Sequence, residues 1–326
     1  MRKKTLLLCG ATGFIGRNLL ERFLAEGAYD IRAAYHRTLP PAALAKRRGV
    51  RFFRADLTNP KDVARATKGA DVVVQAAATT SGSKDIVNRP SHHVTDNAVM
   101  NSLLFRACHE QGVGRFVFFS CTVMYSERPH PVRESDFDYA ITPNYFGVGW
   151  TKVYLEKMCE FYSRLGRTRY TVLRHSNIYG PHDKYDFEKS HVFGATVAKV
   201  MTAQDGRVVV WGEGTEERDL LHVDDLADLV SASLENQKTP FELLNAGSGR
   251  SVSVAELVRL IIARSGRRLR IEFDRSKPSI PFKLAVDSTR ARELFGWSPQ
   301  VGLEEGIDRS LAWYREHYRP AKKHAR

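Results

Sequence analysis

The stretch that decides the fold lies near the start of the chain and reads Thr5-Leu6-Leu7-Leu8-Cys9-Gly10-Ala11-Thr12-Gly13-Phe14-Ile15-Gly16. A short apolar run precedes three glycines spaced three residues apart, and a helical pattern follows. Glycine permits a tight turn and lets the backbone approach a diphosphate at the helix N-terminus. We therefore predict a strand, a dinucleotide-binding turn and a helix. Thr12, Phe14 and Ile15 are predicted to bind the cofactor together with the three glycines.

The same alternation of strand and helix continues along the chain. Short apolar runs predict strands at 5–9, 31–35, 50–54, 72–75, 115–119 and 170–173. Amphipathic patterns predict helices at 18–26, 60–67, 97–111 and 151–165. This order is typical of an α/β fold with a Rossmann-type, doubly wound parallel sheet. We assign residues 1–177 to the cofactor domain, with 222–246 returning to it.

A smaller C-terminal lobe is predicted to bind substrate, mainly within residues 178–326. Its expected elements are a strand at 208–211 and helices at 223–235, 252–264 and 303–316, of which the first lies in the segment returning to the cofactor domain.

Composition narrows the class of protein. The 326 residues are 43% hydrophobic and 27% charged, which excludes disordered and fibrous proteins. Four scattered cysteines without a CxxC pair argue against a zinc site or a disulfide framework. The net charge of +13 favours an anionic ligand, but no basic block is long enough for a nucleic-acid arm. No apolar run suits a signal peptide or a membrane span, so we expect a cytoplasmic protein.

The second strand ends in residues that indicate which dinucleotide binds. His36 and Arg37 stand where an acidic residue would bind the ribose of NAD, and a basic residue favours a 2′-phosphate. The predicted cofactor is therefore NADP (NADPH) rather than NAD. Asp56 and Leu57 end the third strand near the expected adenine. Ala76 and Ala77 end the fourth, where small side chains allow close approach to the cofactor.

Several motifs together carry a family resemblance. They are Gly10-Ala-Thr-Gly-Phe-Ile-Gly16, Asp56-Leu57, Ala76-Ala77 and Asn97, followed by Asn177-Ile-Tyr-Gly-Pro-His-Asp183, Ser190-His191-Val192, Val210-Trp211-Gly-Glu-Gly214, Arg218, Leu221-His-Val-Asp-Asp225, Asn245-Ala-Gly-Ser-Gly249 and the stretch from Lys277-Pro278 to Lys283. The first group resembles the extended short-chain dehydrogenase/reductases, which include the NAD(P)-dependent epimerases and dehydratases. The second group looks like the GDP-L-fucose synthase branch of that superfamily.

The resemblance implies an activity and roles for named residues. In that branch, NADPH reduces C4 of a GDP-4-keto-6-deoxy sugar after epimerisation at C3 and C5. His191 falls on the histidine that acts as acid in epimerisation. Lys199, Arg218 and Lys283 fall on basic positions that hold the substrate, and several planar or cationic donors suit a diphosphate. Asn177 and Trp211 belong to the same substrate motifs. A homodimer through helices near 97–111 and 151–165 is also implied.

The superfamily's redox machinery is only partly present. Lys152 fits its lysine, which orients the nicotinamide ribose, but Val148 occupies the position of the proton-transferring tyrosine. Tyr145 is the candidate replacement. It precedes Lys152 by seven residues, two helical turns or about 10 Å, and could come closer if Gly147 and Gly149 relax the helix. Equally, Tyr145 could simply pack at the helix entry.

The hydroxyl position of the superfamily also differs. Cys121 occupies it, with Ser120 and Thr122 on either side, so Thr122 or Cys121 is the candidate hydrogen-bond donor to the sugar. Cys121 could instead be a buried small residue. The cysteine that the fucose synthases use in epimerisation falls on Val123. The usual acid and the usual base are therefore both replaced by valine.

The combined prediction is an NADP-dependent enzyme that reduces or epimerises a GDP- (or other NDP-) 4-keto-6-deoxy hexose with an atypical active site. One alternative is a catalytically reduced protein that binds NADP(H) or a nucleotide sugar. Another is an NDP-sugar 4-epimerase or a dehydratase, although dehydratases of this superfamily usually carry an Asp-Glu pair where Thr122 and Val123 stand.

Overall fold

The computed structural model of the chain describes residues 2–80, 90–187, 190–277 and 282–318. Pro278, which belongs to one of the substrate motifs, lies outside these residues, as does the basic tail at 322–326. Within the described ranges, no helix combines the length and the apolar character needed to cross a membrane.

Seven parallel strands form the central sheet, in the order β3, β2, β1, β4, β5, β6, β10. Their bounds are β1 Lys4–Cys9, β2 Tyr29–Tyr35, β3 Val50–Arg54, β4 Val72–Gln75, β5 Arg115–Phe119, β6 Arg169–His175 and β10 Phe241–Ala246. The strand order reverses direction between β1 and β4, which opens a crevice at the carboxyl ends of the strands. The predicted Rossmann-type sheet is confirmed.

Helices cover both faces of this sheet. Those on one face are α1 Phe14–Glu26, α7 Val223–Asn236 and α9 Thr289–Phe295, and those on the other are α3 Pro60–Thr67, α4 Thr95–Gln111 and α5 Phe146–Arg164, while the short α2 is Ala42–Ala45. Strand β1 shows why both faces need cover. Leu6 and Leu8 belong to one buried cluster, and Leu7 and Cys9 belong to the other.

A second set of elements builds the C-terminal lobe. It contains β7 Asn177–Tyr179, β8 Arg207–Trp211, β9 Glu217–His222, β11 Ser251–Ser253, β12 Arg270–Asp274 and the helices α6 Val192–Thr202, α8 Val254–Ser265 and α10 Leu303–His317. Strand β9 pairs with β7 and β11, and β8 pairs with β12. Phe193, Val197, Leu257, Ile261 and Leu311 are buried in the core of this lobe.

Four predicted helix starts were wrong. Helix α1 begins at Phe14 and α4 at Thr95, four and two residues before their predicted starts. Helix α5 begins at Phe146, five residues before the predicted start, and Gly147 and Gly149 are regular helical residues. A Cβ at Gly149 would lie 2.9 Å from the Ile141 side chain, so this glycine serves close packing rather than a distortion. Val252 lies in β11, and α8 begins two residues later.

A buried ion pair joins helix α5 to strand β6. Arg174 donates from Nε to Glu156 Oε1 at 2.9 Å and from Nη2 to Oε2 at 2.6 Å, and both side chains are 4% exposed. Ser120 donates to Glu156 Oε1, and Arg174 Nη1 donates to the Tyr125 hydroxyl at 2.8 Å. That hydroxyl in turn donates to Asn245 Oδ1 on β10 at 2.7 Å. The network fixes the carboxyl ends of β5, β6 and β10 relative to α5.

We predict that Arg174→Met lowers the free energy of unfolding by about 3–5 kcal/mol, because it leaves the Glu156 carboxylate buried without its cation. The double variant with Glu156→Met should lose less than Arg174→Met alone. Urea unfolding followed by circular dichroism measures both. A loss below about 1 kcal/mol for Arg174→Met would contradict this account of the ion pair.

Candidate active site

The glycine turn after β1 has the shape needed to receive a diphosphate. Gly10 adopts φ +71°, and a Cβ there would lie 2.7 Å from the Ala77 backbone. A Cβ at Gly16 would lie 2.1 Å from the Gly10 carbonyl oxygen. Positions 10 and 16 therefore have no room for a side chain, because the turn packs closely on itself and on the end of β4 beside Ala76. Ala76 and Ala77 thus lie against the turn, and their close approach to the cofactor stays a prediction.

Helix α1 begins directly after this turn, and none of the side chains that the structure describes caps its first amides. Gly13 is the N-cap residue, and the first turn carries no acidic residue. Thr12, Phe14 and Ile15 surround these amides. Free amides and the positive end of a helix bind anions, so the turn and helix fit the diphosphate of a dinucleotide.

Basic side chains lie at the carboxyl ends of β2 and β3. His36 and Arg37 are exposed, and Arg54 Nε donates to the His36 carbonyl at 3.2 Å. Asp56 accepts hydrogen bonds from the amide and hydroxyl of Thr58, which lower the pKa of its carboxyl. His36 Nε2 lies 3.8 Å from Asp56 Oδ2. Leu57 is buried beside Asp56. Cations and one carboxylate thus face the expected position of the adenosine ribose.

Lys152 lies on helix α5, and its ammonium group reaches the end of β5. Its Nζ donates to the Phe119 carbonyl at 2.7 Å and lies 4.8 Å from the centre of the Phe118 ring, and burial lowers its pKa. Cys121 carries a free, half-buried thiol. Burial raises the pKa of this thiol, and the Lys152 cation partly offsets that rise. The neighbouring Thr122 is 7% exposed.

The two valines that replace the family's acid and base share one environment. We use the name apolar cluster for a set of buried side chains that pack together, namely Tyr125, Val132, Tyr145, Phe282, Leu284 and Val286. Val123 and Val148 are both partly buried against this apolar cluster. The structure thus puts hydrocarbon at the two positions where the resemblance implies a tyrosine of the superfamily and a cysteine of the fucose synthases.

Tyr145 does not share a helical face with Lys152, contrary to the geometry considered from sequence. It ends a single 3₁₀ turn, Pro143–Tyr145, and is the N-cap residue of α5. The side chain is 8% exposed, and its ring centre lies 6.1 Å from that of Phe282. Burial raises the pKa of its hydroxyl, while Arg218 acts to lower it and Cys121 to raise it. Tyr145 therefore packs at the helix entry and also lies within electrostatic reach of two predicted site residues.

His191 is the N-cap residue of α6, in the C-terminal lobe. The residue is exposed. Loss of hydration around its ring lowers the pKa of the imidazole to about 4, and the charges of Lys184 and His93 contribute to this lowering. A second histidine, His175, was missed by the sequence reasoning. It ends β6 and lies within electrostatic reach of both Lys152 and His191. Its place at a strand's carboxyl end was the signal that could have found it.

Two of the predicted substrate cations, Arg218 and Lys283, lie on strand β9 and in the segment that runs beside it. Arg218 Nη1 donates to the carbonyls of Glu217 and Phe282, at 2.9 and 2.5 Å. Lys283 Nζ forms an ion pair of 3.1 Å with Glu217 Oε1. The structure therefore places these two cations together beside β9.

Lys199 lies on α6, separately from that pair. Its Nζ donates to the Val209 carbonyl at 2.9 Å and stands 5.4 Å from the centre of the Trp211 ring. Asn177 donates to the Asp219 carbonyl at 3.2 Å and so joins β7 to β9. In this structure Asn177 therefore supports the lobe that carries the cations.

Comparison with known proteins identifies this arrangement. The model of the NAD dependent epimerase/dehydratase family matches residues 6–247, from β1 to the end of the cofactor sheet. The chain belongs to the NAD dependent epimerase/dehydratase family. It is thus a member of an enzyme family whose cofactor is NAD(P), and the resemblance seen in the motifs is confirmed.

Named members of the family share nearly the whole chain. A dTDP-4-dehydro-6-deoxy-D-allose reductase from Streptomyces bikiniensis is 30% identical and covers 97% of this chain and 98% of its own length. GDP-L-fucose synthase from Escherichia coli (strain K12) is 28% identical over the same shares. The structure of UDP-glucuronic acid 4-epimerase from Bacillus cereus, with UDP-glucuronic acid and NAD, is 26% identical. It matches with a TM-score of 0.84 over 96% of this chain and 100% of that chain.

A loop of this family member ties the two lobes together beside the cofactor turn. Asn18 Nδ2 of α1 donates to the Pro181 carbonyl at 2.9 Å, and Lys184 Nζ donates to the Thr80 carbonyl after β4 at 3.2 Å. Asp183 between them is 7% exposed, and burial raises its pKa to about 6. Its Oδ1 accepts from the Lys184 amide, while Oδ2 is without a partner among the described residues. The loop therefore holds a carboxylate at neutral pH at a cost in stability.

We predict that Asp183→Asn stabilises the protein at pH 7–8 by about 1–3 kcal/mol, the order expected for a pKa raised from 3.8 to about 6. The folded state prefers the protonated acid, so the wild type loses stability as pH rises from 3.8 to 6. The gain should vanish below pH 4, where both folded and unfolded chains are protonated. Unfolding measured against pH, with exposed Asp30→Asn as control, checks this. A gain independent of pH would show that ionisation is not its cause.

Proposed function

We propose that the chain is an NADP-dependent nucleotide-sugar enzyme that reduces or epimerises an NDP-4-keto-6-deoxy hexose. The observation that carries this proposal is a series of electrostatic interactions at the carboxyl edge of the sheet, which links Lys152 to Cys121, Cys121 to Tyr145 and Tyr145 to Arg218. The relatives named as dTDP- and GDP-sugar enzymes support the same substrate class and leave both nucleotides as candidates.

Each residue has a proposed task in this site. Lys199, Arg218 and Lys283 bind the diphosphate of the sugar nucleotide, with Asn177 and Trp211 supporting that surface. Lys152 orients the nicotinamide ribose of bound NADPH, whose chemistry is hydride donation to the sugar carbonyl.

Proton transfer falls to other groups. Tyr145 donates a proton to the sugar oxygen, and Arg218 assists it by acting against the rise in pKa that burial causes. Thr122 or Cys121 hydrogen-bonds that oxygen, and His191 donates a proton during epimerisation.

We predict that the enzyme binds NADP(H) more tightly than NAD(H), and that Arg37→Ala removes most of the preference. A charge-assisted hydrogen bond to the 2′-phosphate is worth roughly 1.5–3 kcal/mol, which corresponds to about ten- to a hundredfold in affinity. Calorimetric titration of both cofactors measures the ratio. Arg106→Ala on α4 is the matched control, since Arg106 is an exposed arginine outside the predicted cofactor-binding residues. An unchanged ratio in Arg37→Ala would refute the assignment.

We predict that Tyr145→Phe lowers NADPH-dependent turnover by about 10²–10⁴, the usual contribution of a general acid. The assay is a screen of dTDP- and GDP-4-keto-6-deoxy hexoses, following NADPH absorbance and products by NMR. Tyr139→Phe, at an exposed tyrosine, is the matched control and should leave turnover unchanged. Val148→Tyr should bring no gain if Tyr145 has replaced the usual acid. Full activity in Tyr145→Phe would exclude it as the donor.

A second candidate function is binding of NADP(H) or a nucleotide sugar without turnover. The packing of Val123 and Val148 against the apolar cluster favours it, because both usual proton-transfer groups are gone. The same screen separates the candidates. A wild-type protein that binds NADP and turns over none of the sugars would support the binding protein.

We also propose a homodimer through α4 and α5. Large apolar side chains are exposed along one face of α5 and just beyond its end, namely Phe146, Tyr154, Phe161 and Leu165, and Val99 is exposed on the adjacent α4. Such a contiguous apolar surface on paired helices is typical of a protein interface.

A further inference from the structure

His175 lies where the cofactor side and the sugar side of the site meet. Its ring centre is 6.1 Å from that of Phe119, whose carbonyl binds Lys152 Nζ at 2.7 Å. Phe119 ends β5 and His175 ends β6, and the two strands are neighbours in the sheet. One phenylalanine thus anchors both the imidazole and the ammonium. His191 is near enough to help lower the pKa of His175.

The tautomer of His175 follows from its hydrogen bond. Nδ1 lies 2.8 Å from the carbonyl oxygen of Ser176, and a carbonyl only accepts, so Nδ1 carries the hydrogen. Nε2 then keeps its lone pair. In the part of the chain that the structure describes, no hydrogen bond is formed by Nε2. The half-buried ring therefore presents a free basic nitrogen, held in one orientation by the backbone.

The charge state agrees with this geometry. Burial, together with the Lys152 and His191 charges, lowers the pKa of His175 to about 4, against an opposing effect of the Ser176 carbonyl. The imidazole is thus neutral at pH 7 and able to accept a proton. A base is the group that the site lacks, because Val123 stands where the fucose synthases carry theirs.

We propose that His175 is the base that removes a proton from a carbon adjacent to the sugar carbonyl. The proposal rests on the proposed function, since it needs a 4-keto sugar in the site. The C–H bond breaks, the proton passes to Nε2, and its electron pair forms an enolate whose charge rests on the carbonyl oxygen. His191, also neutral at pH 7, relays a proton to the opposite face of the carbon: one ring nitrogen gives up its hydrogen while the other takes one from water. The proton on His175 then returns to solvent and neutralises the hydroxide that is left. Nothing is oxidised or reduced, and no further reactant is consumed.

Solvent exchange isolates this step from reduction. The full-length protein is incubated in D₂O with NADP⁺ and either GDP-4-keto-6-deoxymannose or dTDP-4-keto-6-deoxyglucose, and deuterium at C3 and C5 is followed by NMR. Wild-type protein should introduce deuterium. His175→Gln should slow exchange by about 10²–10⁴, the usual contribution of a positioned base. The affinity of this variant for NADP⁺ and its unfolding temperature should stay at wild-type values.

Three further variants make the result specific. Tyr145→Phe should still exchange deuterium while NADPH oxidation fails, because it removes the acid and leaves the base. His130→Gln, at an exposed histidine, should behave as the wild type. Val123→Cys added to His175→Gln should restore part of the exchange, since it supplies a thiol at the other position. Rescue would not occur if His175 served packing alone.

Contrary results are equally distinct. Wild-type exchange in His175→Gln would overturn the role of His175 and leave the proposed function intact. A wild type that oxidises NADPH with a 4-keto sugar yet exchanges no deuterium would do the same. If it neither exchanges deuterium nor consumes NADPH with any sugar of the screen, both the base and the proposed function are refuted.

Discussion

The Glu156–Arg174 ion pair is the constraint on which the site depends. Glu156 follows Lys152 by one helical turn, and Arg174 directly precedes His175, so the pair sets the distance between these two functional segments. Ser120, beside Cys121, is bound to the same carboxylate. A buried pair of this kind contributes little net stability, because desolvation offsets most of its attraction. Its value here is positional, since either charge left alone would be costly and the helix cannot slide along the sheet.

The sheet could be predicted from sequence because its strands are short apolar runs between polar turns. The bounds of β3, β4 and β5 agree with the prediction to the residue. The start of α5 was missed because two glycines, at 147 and 149, weaken the local helical pattern, whereas tertiary packing against Ile141 requires at least one of them. Packing between residues of different segments does not change the local hydrophobic periodicity, so the periodicity could not predict this helix start.

In the candidate site, as in the fold, local motifs could be predicted from the sequence and long-range contacts could not. The cofactor turn is a local motif, so the spacing of its glycines predicts it from the sequence. The structure shows the close contacts that leave no room for larger residues there. The neighbours of His175 come from β5, α5 and the start of α6, which are far apart in the chain. Tyr145 shows the converse, because sequence spacing suggested a helical partnership with Lys152 that the 3₁₀ turn does not form.

The apolar cluster has a consequence for how this active site could have changed over time. Val123 and Val148 both pack against this cluster. A tyrosine at position 148 would bring a hydroxyl into apolar surroundings, where it needs a hydrogen-bond partner. A cysteine at position 123 would meet little resistance there, because its thiol is small and only weakly polar. The two positions therefore differ in how easily evolution can reverse them: the thiol can return by a single exchange, whereas the hydroxyl needs further changes around it.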